Sequence, residues 1–310
     1  MSFSSDTKIA LSSEIPARKC CKKAYLMGSL AFSGIFTREK IRYITEIGAA
    51  SENVVTLLDE LYGIRSEVVT TEKHGGKERV ISCKVTVSDK NEISKMSPDF
   101  KKNSVSLYRV NKNIFDEGCG RCASMFLRGA FIASGTVSRP DSSFHLEIST
   151  PYKNLASDTA ELIKENGIIP RTTMRGSNYV IYLKKCDDIA DFLAYIGATS
   201  ASFDYINESI LRESRGLANR AVNCDTANIK KTVAAASGVS AAIDYLIKNS
   251  LLEKLPEEIR KTAVLRYENP QASLAELADM STPKLTKSGV SHRLKRITDL
   301  YEKYKRGKTD

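Results

Sequence analysis

The sequence predicts an α+β protein in which a duplicated, two-lobed N-terminal domain is followed by an all-α domain. Three observations carry this. Tyr25-Leu-Met-Gly-Ser-Leu-Ala-Phe-Ser-Gly34 and Phe126-Leu-Arg-Gly-Ala-Phe-Ile-Ala-Ser-Gly135 match in register, 101 residues apart. Downstream of each copy, the same strand and helix patterns recur. A capped pair of short helices then closes the chain. A spacing of that size is too long for one solenoid unit and suits two halves of a duplicated domain.

Each repeat begins with an apolar helix interrupted by a glycine, Gly28 or Gly129. Glycine inside a helix is about 1 kcal/mol worse than alanine, so its recurrence suggests two helix backbones in close approach. After Gly34 comes the alternating stretch Lys40 to Thr45, and after Gly135 comes Ser143 to Ser149, with Phe144, Leu146 and Ile148 on one face. Period-two alternation reads as a half-buried strand.

Helices are then expected from Glu52 to Tyr62 (Leu57, Leu58, Leu61 inward) and from Asn154 to Asn166 (Leu155, Leu162, Ile163 inward). Gly63 and Gly167 fall where a helix-ending residue with positive φ is wanted. Two strand-like runs come next in each half: Ile64 to Thr70 and Arg79 to Val87 around Gly75-Gly76, then Ile168 to Thr172 and Tyr179 to Leu183 around Gly176. Asp187 to Ile196 closes the second half as a helix. Ser97 to Asp116 in the first half has no clear pattern. The expected domains are residues 1–203 (halves about 1–110 and 111–203), a linker helix 204–228, and residues 229–310.

In the C-terminal part, Ser273 and Glu276 form a capping box before a short helix with Leu274, Leu277 and Ala278 inward. After a turn containing Pro283, a second helix runs from about Lys287 to Tyr304. Val290, Leu294, Ile297 and Tyr301 form its apolar face; Ser288, Ser291, His292, Lys295 and Asp299 look the other way. This is the pattern of a helix-turn-helix with a long turn. From Lys284 to Lys308 there are nine Lys/Arg against two acids, an excess that suits a polyanion, although a solvated face carries similar charge. Phosphate contacts are expected from Lys284, Lys287, Arg293, Lys295 and Arg296, and base contacts from Ser288, Ser291 and His292.

The two glycine-bearing motifs resemble those of LAGLIDADG homing endonucleases, whose motif helices pack at the centre of a saddle over DNA. In that family the penultimate motif position is an acid that reaches the catalytic metal. Here the motif positions are Gly28, Ser33 and Gly34 in one copy and Gly129, Ser134 and Gly135 in the other, so both acids are serines. Magnesium wants anionic oxygen ligands, and the nearest acids, Glu39 and Asp141, lie beyond the helix ends. The segment Leu285-Thr-Lys-Ser-Gly-Val-Ser-His-Arg-Leu-Lys-Arg-Ile297 and the string Asn219-Arg-Ala-Val-Asn-Cys-Asp-Thr-Ala-Asn228 resemble the WhiA family. These are bacterial DNA-binding regulators of sporulation, cell division and chromosome segregation that join a degenerate LAGLIDADG domain to a C-terminal helix-turn-helix.

The resemblance implies a sequence-specific transcriptional regulator that is nuclease-inactive, takes no cofactor and binds double-stranded DNA. Its duplicated lobe would be a further surface for DNA, a protein partner or self-association. A nucleoid-associated structural protein and a residual metal-dependent endonuclease are the alternatives. A net charge of +10 and a pI near 9.1 suit a polyanionic partner. No apolar run approaches the roughly 18 residues of a membrane span, and the start, Met-Ser-Phe-Ser-Ser-Asp, lacks a signal-peptide pattern. A cytoplasmic, nucleoid-associated protein without a membrane partner is therefore expected. An odd count of seven cysteines suits reduced thiols.

Cys119-Gly-Arg-Cys122 has CxxC spacing and Cys20-Cys21 precedes the other motif helix. A zinc site needs all four thiolates to converge; with no second CxxC or spaced histidine pair, structural thiols near two helix starts are expected, with neither a metal nor a redox pair. His74, His145 and His292 are scattered, so no Cys–His or Ser–His–Asp set is expected either. Arg212, Arg215 and Arg220 in the linker form either a basic stripe or a solvated helix face.

Overall fold

The computed structural model describes residues 2–75, 78–96, 99, 108–116 and 118–307. The chain divides into two compact units, residues 1–213 and 214–310, with the boundary inside the expected linker. Half of the stretch from Ser97 to Asp116 lies outside the described residues; within the rest, Lys112–Ile114 forms one 3-10 turn.

In the first unit, α1 (Phe3–Ser12) is a helix that the sequence pattern does not anticipate; the Ser2 side chain accepts a hydrogen bond from the Ser5 amide at its start. The first motif helix is α2 (Lys19–Ala31), followed by β1 (Ile35–Phe36), β2 (Ile41–Thr45), α3 (Gly48–Tyr62), β3 (Glu67–Gly75), β4 (Glu78–Val87) and the short α4 (Lys90–Ser94). The second half repeats the order: α5 (Cys122–Ser134), β5 (Gly135–Val137), β6 (Leu146–Thr150), α6 (Lys153–Glu165), β7 (Arg171–Arg175), β8 (Asn178–Leu183) and α7 (Cys186–Ile196). Each half builds an antiparallel four-stranded sheet, β1-β2-β4-β3 and β5-β6-β8-β7.

The expected helix–strand–helix–strand–strand order thus gains one short strand per half. β1 and β5 are too short to show alternation, and each is defined by its pairing with the next strand. Matching registers, Tyr43 against Val85 and Ile148 against Ile181, put the apolar side of both sheets inward. Leu57 and Leu58 of α3 and Leu155, Leu162 and Ile163 of α6 are buried against the core, while Leu61 is half-buried. Gly63 and Gly167 adopt the left-handed conformation expected of them, at φ +61° and +82°.

The centre of the unit is the crossing of α2 and α5. A Cβ on Gly28 would fall on the Phe126 carbonyl, and one on Gly129 would fall on the Tyr25 carbonyl, within 2.7 Å of the Ser29 nitrogen. Only hydrogen fits at either place. Residues on both sides of this contact, including Tyr25, Leu26, Phe126 and Phe131, are fully buried.

A 50-residue helix, α8, runs from Thr199 to Lys248 and includes the whole expected linker. Its Tyr205 is buried in the first unit, donating to the Ser138 carbonyl at 2.7 Å. The second unit packs Ile243 and Leu246 of α8 with α9 (Glu257–Glu268), α10 (Leu274–Met280) and α11 (Lys287–Arg306). Its core is small: Ile259, Ala263, Leu277, Val290, Leu294 and Ile297 are among its buried residues. No helix among the described residues is long and apolar enough to cross a membrane.

Candidate nucleic-acid interface

The second unit presents α11 on a helical scaffold. Ser273 and Glu276 make the full capping box at the start of α10, with the Glu276 amide donating to Ser273 Oγ at 3.3 Å and the Ser273 amide donating to Glu276 Oε2 at 2.7 Å. The linking turn folds back through the Leu285 amide, which donates to the Ala278 carbonyl at 3.2 Å. The Thr286 hydroxyl then caps α11, accepting from the Gly289 amide at 3.1 Å.

Burial divides α11 as its periodicity predicts. Val290, Leu294 and Ile297 are buried, and Tyr301 is half-buried with its ring edge-on to Tyr245, centroids 5.1 Å apart. Lys287, Ser288, Ser291, His292, Lys295 and Arg296 are all exposed, and Lys284 stands exposed in the preceding turn, 3.8 Å from Asp279. The unpaired first-turn amides add positive potential at the N-terminus. A polar, hydrogen-bonding stripe flanked by cations is what a groove-entering helix requires.

Arg293, unlike the other expected phosphate contacts, is half-buried and has a close partner on a neighbouring helix. Its guanidinium bonds Glu258 Oε2 on α9 at 3.0 Å, with only 21% of the side chain exposed. It ties two helices of the scaffold together and does not stand with the outward cations. Arg212 has close partners too. It donates to the Pro140 carbonyl at 2.6 Å, pairs with Glu208 at 3.0 Å and covers the Phe144 ring at 4.1 Å, all within the first unit. Arg215 and Arg220 remain exposed on α8.

At the C-terminal ends of α2 and α5, Ser33 and Ser134 are half-buried. Ser33 Oγ donates to the Leu30 carbonyl at 2.9 Å and Ser134 Oγ to the Ala130 carbonyl at 3.5 Å. Both hydroxyls donate to backbone carbonyls, and Ser33 Oγ also reaches the Arg42 carbonyl of β2 at 3.5 Å. Asp141 is held by Arg139 at 2.8 Å, and Glu39 lies exposed, 3.9 Å from Lys90. Among the described residues no cluster of acids converges at these helix ends.

At the opposite ends of the same helices the structure brings together the four cysteines that the CxxC spacing alone left apart. The thiols of Cys20, Cys21, Cys119 and Cys122 lie within 4.8 Å of one another. The physical reason is the glycine crossing, which brings the starts of α2 and α5 together although they are about a hundred residues apart in sequence. A search for a second CxxC does not see this. The repeat register does hold a signal: Cys21 stands four residues before Tyr25, and Cys122 four before Phe126.

Comparison with known proteins decides the family. A model described as "WhiA LAGLIDADG-like domain" matches residues 22–95 and 123–215, and one described as "WhiA C-terminal HTH domain" matches residues 218–301. The chain is similar to the probable cell division protein WhiA of Desulforamulus reducens, at 35% identity over 99% of this chain and 98% of that protein. The chain belongs to the WhiA family. The protein of the same name from Bacillus cytotoxicus is 34% identical over the whole of this chain and 99% of its own length. The fold is shared with the crystal structure of full-length DUF199/WhiA from Thermatoga maritima, at TM-score 0.58 and 24% identity, covering 98% of this chain and 99% of that one. The α+β, LAGLIDADG-like first unit and the helical second unit are thus the two WhiA domains.

Proposed function

We propose that this WhiA-family chain is a sequence-specific, double-stranded DNA-binding transcriptional regulator acting in cell division, and in the sporulation and chromosome segregation that accompany it. One observation carries the reading: the N-terminal half of α11 is capped, cationic at its flanks and exposed along Ser288, Ser291, His292 and Lys295, while its other face is buried. Lys284, Lys287, Lys295 and Arg296 take phosphates, and Ser288, Ser291 and His292 read bases. The relatives' description as probable cell division proteins supports the cellular setting. Work on DNA implies a cytoplasmic, nucleoid-associated location.

The LAGLIDADG-like unit, on this reading, does not cut DNA. The serines that replace both motif acids carry no charge to hold Mg²⁺ at a scissile phosphate. The unit adds a surface for DNA, a protein partner or a second copy. Support for a protein contact comes from Leu217, Val222, Ile229 and Val233, which stand exposed along α8.

The test is binding of full-length chain to promoter fragments recovered by genome-wide mapping, in competition with random DNA. Full-length protein should prefer its targets, and a chain ending near Asn269 should lose that preference. Equal affinity for targets and random DNA would favour a nucleoid-structuring role. Undiminished target binding by the truncated chain would refute the role of α11.

A further inference from the structure

We propose that Cys20, Cys21, Cys119 and Cys122 form a tetrathiolate site for a single structural zinc ion, joining the two halves of the LAGLIDADG-like unit at the N-terminal ends of its motif helices. The four Sγ atoms lie within 4.8 Å of one another, and the Cys21 and Cys119 sulfurs are 3.4 Å apart. A tetrahedral zinc with bonds of about 2.3 Å separates its thiolates by about 3.8 Å. The observed cluster needs only small side-chain rotations to reach that. An iron–sulfur cluster spreads its ligands over several metal atoms and would hold the sulfurs further apart.

The surroundings are built as a zinc–thiolate knuckle requires. In Cys119-Gly-Arg-Cys122, Gly120 has φ +64°, a conformation that L side chains rarely adopt, and it turns Cys119 back toward Cys122. The Asp116 amide donates to Cys122 Sγ at 3.5 Å, and Arg18 donates to Cys119 Sγ at 3.7 Å. Such contacts stabilise metal-bound thiolates.

Charge supplies an independent argument. Binding Zn²⁺ releases the four thiol protons and leaves a centre of net charge 2−. α2 and α5 both begin at this point. Each has an arginine at its N-cap, Arg18 or Arg121, with no side-chain cap and no acid in its first turn. No acidic side chain therefore answers the positive ends of these two helices, where an anion is favoured. A zinc tetrathiolate provides one for both helices at once.

The 13-residue motif helices separate this site from Ser33 and Ser134 by about 20 Å, at 1.5 Å per residue. The ion would therefore have no part in cleavage. Its role is to clamp together two chain segments whose ligands are about a hundred residues apart.

The test starts with full-length protein purified without chelator under reducing conditions. Elemental analysis should find one zinc per chain, released into a chromogenic chelator when a mercurial blocks the thiols. Cobalt substitution should yield the intense charge-transfer and ligand-field bands of tetrahedral thiolate coordination. The variant combining Cys20→Ser, Cys21→Ser, Cys119→Ser and Cys122→Ser should lose the metal, whereas Cys83→Ser, Cys186→Ser and Cys224→Ser together should retain it. Where the quadruple variant does not fold, wild-type metal content and the cobalt spectrum still decide the matter. Protein that stays metal-free after zinc addition, with reduced thiols or a Cys21–Cys119 disulfide, would overturn the proposal; so would stoichiometric iron in place of zinc.

Discussion

Gly28 and Gly129 are tolerated inside helices because each occupies the other helix's closest approach, where a Cβ would collide with a carbonyl. Gly28→Ala or Gly129→Ala gains helix propensity of about 1 kcal/mol, but the forced separation of the helices is the larger effect. Overpacking of a dense core costs about 1–3 kcal/mol, and backbone on both sides of this crossing leaves little room to relax. Chemical denaturation should show net destabilisation by either substitution; unchanged stability would mean that the crossing is looser than the structure shows. Residues of α11 divide in the same way, by what they touch. Lys287→Ala should weaken binding to all DNA alike and reduce the salt slope by about one unit. Ser291→Ala or His292→Ala should cost about 1–3 kcal/mol on the true site alone. Arg293→Gln should leave the salt slope unchanged and lower the stability of the second unit by about 0.2–1 kcal/mol, the worth of a partly exposed ion pair. A salt slope lowered by Arg293→Gln would return that residue to the phosphate set.

At the scale of elements, strands and helices differ in how plainly they are written. The alternation of β2 and β6, the stripes of α3 and α6, the glycine stops and the capping box of α10 are local patterns, and all appear where neighbouring residues dictate them. β1 and β5 are illegible because two or three residues carry no period; they exist through hydrogen bonds to β2 and β6. The long helix α8 tests the remaining basic stripe. Arg212 is engaged with Pro140, Glu208 and Phe144, leaving Arg215 and Arg220 as the exposed pair. If α8 lies against DNA, Arg215→Glu and Arg220→Glu should each weaken target binding several-fold, with a larger deficit at low salt where screening is weak. Titrations at two ionic strengths will check this, and unchanged affinity in both variants would identify a solvated helix face.

For the whole molecule, the decisive comparison is between the two ends of the motif-helix pair. One end carries Ser33 and Ser134 at the closing motif positions; the other gathers four thiols. Purified protein should not nick plasmid or target DNA in Mg²⁺ or Mn²⁺, as an agarose assay of supercoiled substrate will report. Ser33→Asp with Ser134→Asp should not restore cleavage, because water-positioning groups and supports around the ligands are also needed. Paired carboxylates near a close helix crossing should also lower stability in metal-free buffer. Metal-dependent strand breaks by the wild type, absent from Ser33→Ala/Ser134→Ala protein, would reinstate an endonuclease.

Residues close along the chain are enough to set the repeat register, the helix and strand periods, the caps, the serines at the closing motif positions and the polar stripe of α11. Resemblance carried these to a family. Which groups far apart in sequence come together is a matter for the tertiary structure. Arg293 lies 35 residues from Glu258, and nothing in its neighbours along the chain indicates that the two would pair. Cys21 and Cys119 are 98 residues apart and meet because two glycines let their helices touch. Propensity and periodicity act over a few residues, whereas convergence of side chains is a property of packed backbones, and a scan along the chain cannot measure that distance.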